Sequence, residues 1–308
     1  MSTQPEIICI GEPMIELTEV IGADGRVSFQ TGFGGDTANA AAAAARQGGS
    51  VGFVTALGAD RFGKAFLKLW SDEGIDTSDV IENPDAPTGL YFVFPDPEAR
   101  DFAYYRAGSA ASRIRPTDIP EATIAGAKLL HVSGISQAIS DTASSSISHA
   151  IDIANKAGVD VAYDTNLRLK LWPLDIANAT IHSAMEKCQI ALPSIDDSVL
   201  LTGLEDPEAI VDFYLSLGPS IVALKLGAAG CLVATRERRE HIAAHPVEAV
   251  DSTGAGDAFA GAFHAEYLRT GDPFQAANIA NVVAALTTTG MGAVAPIPTR
   301  QAVLDLLS

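Results

Sequence analysis

The residues best suited to chemistry lie in the stretch Val250-Asp251-Ser252-Thr253-Gly254-Ala255-Gly256-Asp257-Ala258-Phe259. It leaves a loop and enters a small-residue helix, expected from Asp257 to about Leu268, with Phe259, Phe263 and Tyr267 spaced four apart. Gly254 and Gly256 leave the backbone bare just before that helix. Free N–H groups and the positive end of the helix dipole can seat an anion there. Asp257 shares the turn. A carboxylate in that place either caps the helix or takes a proton from a group attacking a phosphate; both readings stand on these residues alone.

A second polar cluster precedes another helix. Thr31-Gly32-Phe33-Gly34-Gly35-Asp36-Thr37-Ala38-Asn39 leads into Ala40–Ala45 and Arg46, an alanine run that favours a helix packed closely on a sheet. Gly34 and Gly35 let a ligand approach the backbone, while Asp36 and Asn39 offer an acceptor and an amide suited to sugar hydroxyls. An N-cap followed by a turn is the alternative. Two nucleotide motifs are absent. Gly58-Ala59-Asp60-Arg61-Phe62-Gly63-Lys64 has P-loop spacing, but Ala65 stands where a hydroxyl should hold magnesium. No G-x-G-x-x-G follows a strand, which disfavours a dinucleotide-dependent oxidoreductase.

The elements that must position these residues read as α/β. Glu6–Gly11 and Val51–Gly58 are buried strands, whereas Glu12–Val20 alternates as a half-exposed one. Thr88–Phe94 and Arg100–Arg106 read as two further alternating strands around a Pro- and Asp-rich turn, the second piece of a flap. From Lys128 the pattern is strand then helix: Leu129–Ser133, the helix Thr142–Ala157, Val159–Asp164, Ile190–Pro193 and Ile221–Lys225, with Cys231–Ala234 as a hairpin partner. Polar or glycine-rich loops follow these strand ends, where open α/β sheets gather ligands.

With 308 residues, 47% of them apolar, the chain can bury a large core. No apolar run is long enough to span a bilayer, and the N-terminal pattern lacks a secretory signal; a cytoplasmic protein is expected. A net charge of −18 disfavours nucleic acid and anionic membranes as partners. An anionic substrate must then meet locally placed cations, and Arg106 stands out as an isolated one. Cys9, Cys188 and Cys231 each lie in an apolar run that reads as a strand, as buried free thiols do in a reducing compartment.

Together these residues resemble the ribokinase-like (pfkB-type) family of carbohydrate kinases over essentially the whole chain. The likeness rests on Gly34-Gly35, Gly58-x-Asp60-x-x-Gly63, Asp164 and Asn166 at a strand end, Lys225-x-Gly227, and Asp251-x-Thr253-Gly254-Ala255-Gly256-Asp257. Within the family the closest likeness is to 2-keto-3-deoxygluconate kinases. It is carried by Gly11-Glu12-Pro13-Met14, Tyr104-Tyr105-Arg106-Ala107-Gly108-Ser109-Ala110 and Asp164-x-Asn166-x-Arg168-x-x-Leu171-Trp172. The resemblance implies one three-layer α/β sandwich over residues 1–308 with a central, mainly parallel sheet. It also implies a small β lid from about 12–34 and 87–110, which doubles as the interface of a dimer or higher homo-oligomer.

The implied activity is ATP-dependent phosphorylation of the primary hydroxyl of a sugar acid. Asp257 would be the base, and the N–H groups of Ala255, Gly256 and Asp257 the anion hole, with Gly254 opening it. ATP is expected along Asp164, Asn166, Arg168, Ser194, Lys225, Gly227, Gly230, Gly254, Gly256 and Asn281. The sugar is expected at Gly34, Gly35, Asp36, Asn39, Tyr91, Tyr104, Arg106, Arg168 and Asp257, with both arginines on its carboxylate. Mg2+ should enter with ATP. Asp197 stands where the family has a glutamate organising that metal, an ordinary helix-start carboxylate being the alternative, and Asp251 and Thr253 match positions that line a monovalent-cation (K+) site in relatives. Thr289-Gly290-Met291-Gly292-Ala293-Val294 departs from the family by lacking a charged residue before Gly-Ala. A kinase of a neutral sugar such as fructose or ribose, and a non-catalytic sugar-binding regulator, are the rival readings.

Overall fold

The parallel strands are continuous apolar runs, and burial on both faces explains why. In the computed structural model, which describes residues 4–94 and 101–307, all eight residues of the Val51–Gly58 strand are buried. In chain order the strands are β1 (Ile7–Ile10), β2 (Met14–Ile21), β3 (Val27–Gly34), β4 (Val51–Gly58), β5 (Val80–Asn83), β6 (Gly89–Phe94) and β7 (Asp101–Tyr105). There follow β8 (Leu129–Ser133), β9 (Asp160–Asp164), β10 (Ile190–Ala191), β11 (Ile221–Lys225), β12 (Cys231–Ala234) and β13 (Arg239–Ile242).

A nine-stranded sheet runs β13-β12-β11-β10-β9-β8-β1-β4-β5. It is parallel from β5 to β11, while β12 and β13 return antiparallel. Successive residues of β1 feed opposite layers: Ile7 and Cys9 join one apolar core, Ile8 and Ile10 the other. Helices cover both faces, giving the expected three-layer α/β sandwich. A separate four-stranded sheet runs β3-β2-β6-β7, with β2 and β6 parallel and the other pairs antiparallel. Only β6 alternates in burial; β2, expected to alternate, runs instead from buried at Met14 to exposed at Ile21, and β3 from exposed at Val27 to buried at Gly34, as the sheet reaches out from the main body.

Site-bearing loops leave the carboxyl ends of the parallel strands: Gly11 and Glu12 after β1, Ser133 ending β8, Asp164 ending β9 and Lys225 ending β11. The alanine-rich helix Asp36–Arg46 lies on the same layer as the helix Ala255–Thr270. They approach almost backbone to backbone. A Cβ on Gly261 would stand 2.0 Å from the Ala40 carbonyl oxygen, so only glycine permits the approach.

Several local expectations shift. Cys188 lies in the turn after the helix Leu174–Met185, not in a strand; its thiol and those of Cys9 and Cys231 are free, buried and pushed up by that burial. The half-exposed strand begins at Met14 and excludes Glu12, which is buried. β5 and β13 are additions: both are four residues long and largely exposed, so neither shows a clear apolar pattern. The turn between β6 and β7, with Arg100, lies outside the described residues. No helix among the described residues is long and apolar enough to cross a membrane.

Gly261→Ala forces the two helices apart and should destabilise the fold by about 1–3 kcal/mol despite alanine's better helix propensity. Urea unfolding of the variant should show an earlier midpoint; an unchanged or later one would contradict this packing.

Candidate active site

The helix at the centre of the site starts two residues earlier than its sequence suggests. Gly254 sits at φ +75° as N-cap, and Ala255 is the first helical residue. Asp257 is therefore in the first turn, and no side chain caps this helix. Its carboxylate faces sideways instead. Oδ2 accepts a hydrogen bond from Asn39 Nδ2 at 2.9 Å, and Oδ1 accepts from Asn166 Nδ2 at 3.3 Å. Of the two readings open from sequence, capping is removed.

Asp36 does not cap its helix either; Gly35, at φ +104°, holds that place. Asp36 Oδ2 accepts from the Ser133 hydroxyl and from Asn166 Nδ2 at 3.3 Å. The Asn166 amide, expected at the nucleotide, thus lies between two carboxylates. Its backbone is in the left-handed region at φ +30°, and its N–H donates to Asp164 Oδ1 at 3.2 Å. Such a conformation in a non-glycine residue costs of order 1–3 kcal/mol and persists because the neighbours over-determine it.

Asp257 opens on the cleft but is otherwise enclosed by protein. Burial, then the charges of Asp36 and Asp164, push its carboxyl up to about 7, against the opposing pull of Asn39 and Lys225. Burial also raises Asp36 above the usual carboxylate range. Two buried acceptors, Asp36 Oδ1 and Asn39 Oδ1, have no partner among the described residues. Each such group costs about 1–3 kcal/mol, so donors from a hydroxylated ligand fit here.

Beside Asp257 are groups that can seat an anion. The amides of Gly256 and Asp257 have no earlier helical carbonyl to bond. The Ala255 N–H, expected to join them, donates instead to the Ser252 carbonyl at 3.2 Å. Lys225 Nζ is bonded to Asp164 Oδ2 at 2.5 Å and stands 3.6 Å from where a Gly256 Cβ would be, so its ammonium borders the bare amides. Gly227, at φ +58°, has open space at its Cβ position, while a Cβ on Gly230 would stand 2.0 Å from the Ile242 carbonyl oxygen. A phosphate chain fits this cradle: a cation, two amides and an open glycine turn.

Other residues expected at the nucleotide have structural partners. Ser194 caps the helix Ile195–Thr202, its hydroxyl accepting from the Asp197 N–H. Asp197 Oδ2 accepts from the Thr165 hydroxyl at 2.9 Å and the Leu167 N–H at 3.1 Å, bracing the 164–168 loop. Asn281 donates to the Ile242 carbonyl at 3.0 Å and so supports the β12–β13 hairpin. Arg168 is exposed and donates to the Leu167 carbonyl at 2.8 Å. The two Asp251 oxygens accept from the N–H groups of Thr253 and Gly292, both at 2.9 Å, tying the anion-site loop to the 290–294 loop. Among the described residues no group of three or more His, Cys, Asp or Glu could hold a metal ion.

The small sheet supplies the far wall. Arg106 is not isolated: it is buried, and its Nε donates to Glu12 Oε2 at 2.7 Å, with Ser109 donating to the other oxygen. The Tyr91 hydroxyl donates to buried Glu16 at 2.5 Å, and burial beside that carboxylate pushes the phenol up. Tyr104 is 39% exposed, its ring 5.8 Å from Tyr91 and 6.0 Å from the Arg106 guanidinium carbon. At Gly34 and Gly35 a Cβ would meet the Tyr91 hydroxyl and the Glu12 carbonyl, each at 2.3 Å; internal packing already demands both glycines. Glu12, Glu16 and Ser133 were missed in sequence. The signal for Glu16 was its phase, shared with apolar Met14 two residues before it.

Residues 4–300 match the family model for pfkB family carbohydrate kinases. The chain is 34% identical over 308 residues to a 2-dehydro-3-deoxygluconokinase of Thermoproteus tenax, covering 98% of this chain and 94% of that protein. It is 32% identical over 314 residues to fructokinase-1 of Oryza sativa subsp. japonica, covering 98% and 97%. An E. coli protein solved in complex with ATP and Mg2+ superposes with a TM-score of 0.91 at 25% identity, covering 98% and 99% of the two chains. The chain belongs to the pfkB family of carbohydrate kinases, phosphotransferases with an alcohol group as acceptor.

Because the folded-state value of Asp257 lies above its unfolded one, the stability it contributes is complete at low pH and lost as pH rises through about 7. Asp257→Asn escapes that loss. The thermal midpoint of the substrate-free variant, relative to wild type, should therefore climb between about pH 5 and about pH 8. A constant or shrinking difference would contradict the raised value.

Proposed function

We propose that this pfkB-family kinase transfers the γ-phosphoryl group of ATP to the primary C6 hydroxyl of 2-keto-3-deoxygluconate. The observation that carries the reading is the Asp257 carboxylate, turned by Asn39 and Asn166 toward the cleft, one residue from the bare Gly256 amide and its Lys225 neighbour. The sugar's hydroxyls donate to Asp36 and Asn39, whose free oxygens need donors. As the C6 oxygen attacks, Asp257 accepts its proton, a step worth about 10²–10⁴-fold when the base is positioned. The Gly256 and Asp257 amides and the Lys225 ammonium hold the charge that develops on the transferred group.

ATP lies along Lys225, Gly227 and Gly256 in this reading. Magnesium arrives on the phosphates, keeps much of its water and supplies charge neutralisation there. Arg106 faces the sugar carboxylate from the small sheet. Glu12 engages the guanidinium on one edge only, and Ser109 shares that carboxylate, so donors remain on the other edge. Arg168, exposed at the end of β9, is free to join it. The small sheet acts as the lid. Its outer face exposes Ile21, Val27, Phe29 and Tyr105, which supports burial against another subunit in a homo-oligomer.

A neutral sugar is the second reading, and one observation favours it. The charge of Arg106 is already balanced by Glu12, and buried Glu16 adds a negative wall that a carboxylate must avoid.

An ADP-release assay with Mg-ATP separates the two. The keto acid should turn over far faster than fructose or ribose; turnover of the neutral sugars alone would keep the kinase and discard the arginine clamp. Asp257→Asn should lose at least about tenfold, and as much as the 10²–10⁴-fold of a positioned base. Retention of more than about a tenth of the wild-type rate would remove Asp257 from its role. Since the ionised form accepts the proton, kcat/KM should rise with pH through about 7 and level off above it. Arg106→Ala should raise KM for the keto acid far more than for ATP; equal rises would count against direct contact.

A further inference from the structure

One buried polar pair lies just beneath the reacting groups and has no part in the chemistry above. His264 is on the Asp257 helix, seven residues further on, so about two turns later it points to the same side. His131 is on β8, two residues before the Ser133 that donates to Asp36. Their rings meet at 3.0 Å, His264 Nε2 to His131 Nδ1, and neither ring is more than 2% exposed.

We propose that His131 and His264 are positioning residues: their hydrogen bond fixes the Asp257 helix on the central sheet at the one setting that brings Asp257 to Asn39 and Asn166. The proposal rests on Asp257 being the proton acceptor. The other inward contacts of this helix, Gly261 against the Ala40 carbonyl and Ala258, Phe259, Ala262 and Phe263 in the apolar core, are close packing. They set distance, but none is a directional side-chain bond to the sheet. Among the described residues, the His pair is the only side-chain hydrogen bond between this helix and a strand of the nine-stranded sheet. A 1 Å shift in a reacting group can cost about 10²-fold, so such a bond acts on rate and not only on stability.

The pair is suited to this because it does not ionise. Burial, helped by the Lys225 ammonium, holds His131 down to about 3 and His264 well below its ordinary value. The charged group that acts on both rings is Lys225 at the end of β11, and the buried Cys9 thiol on β1 is registered opposite His131. Direction follows from His264 Nδ1, which is buried without a partner. A bare acceptor nitrogen is tolerated there better than an orphaned N–H. The proton is therefore on His264 Nε2, which donates to His131 Nδ1.

Two measurements test this. Imidazole 15N spectra of the substrate-free wild-type protein should show His264 as the Nε2–H tautomer, unchanged from about pH 5 to about pH 8. The Nδ1–H tautomer, or titration in that range, would overturn the proposal. In kinetics, His264→Leu removes the donor, while His264→Gln keeps one near the Nε2 position. Leu should lower kcat by about 10- to 100-fold with KM for sugar and ATP nearly constant, and should move the midpoint of the acid limb, because Asp257 shifts against Asp36 and Lys225. Gln should restore most of kcat and the wild-type midpoint. Equal losses in Leu and Gln, or a Leu variant with wild-type kcat and acid limb, would overturn it. If Asp257→Asn keeps its turnover, the base assignment fails on its own; the tautomer still decides the pair. The tautomer also decides if the Leu variant does not fold.

Discussion

Three carboxylates, Asp36, Asp164 and Asp257, are held around one cleft, and most of the site follows from the cost of that crowding. Like charges brought together out of water resist ionisation. Each is therefore met by its own device. Asp164 has the Lys225 ammonium, Asp36 has the Ser133 hydroxyl, and the Asn166 amide is shared between Asp36 and Asp257. Burial and the neighbouring carboxylates raise Asp257 to about 7, into the range where proton transfer to and from it is easy. Lys225 serves twice, since the cation that steadies Asp164 also borders the amides where a phosphate can sit.

The fold supplies this geometry through strand ends and glycine contacts. The parallel strands β1, β8, β9 and β11 deliver Glu12, Ser133, Asp164 and Lys225 to the carboxyl-end edge of the sheet. The two helices that carry Asp36, Asn39 and Asp257 approach closely because Ala40 and Gly261 present no bulk between them. Asn166 stores backbone strain to aim one amide at two acceptors. Strain of this kind, together with buried acceptors lacking donors, is what a preorganised site costs in the absence of its ligand.

Much of this was legible in the sequence where composition and chemistry coincide. β4 and β11 begin and end where the apolar runs do, and the Cys231–Ala234 hairpin partner pairs antiparallel as expected. The pairing of two glycines with Asp257 pointed to an anion site. What was not legible is long-range pairing. Nothing local in Arg106 says that Glu12, ninety-four residues earlier, neutralises it. Nothing in Asn281 or Ser194 says that their hydrogen bonds go to a hairpin and a helix cap, since both residue types serve nucleotides equally well. Asn166 looked like a cofactor ligand because strand-end polar residues usually face ligands; its left-handed backbone turns it to the carboxylates. The His131–His264 contact joins residues separated by 133 positions and has no motif at all.

The central claim is that burial, together with the crowding of Asp36 and Asp164, leaves Asp257 poised as a base at neutral pH. A carboxyl 13C NMR titration of the substrate-free protein, with Asp257 assigned by comparison with Asp257→Asn, tests it directly. The account gives a midpoint at about 7. A midpoint near the ordinary aspartate value of about 4 would mean that the three carboxylates do not constrain one another, and the account would fail at its root.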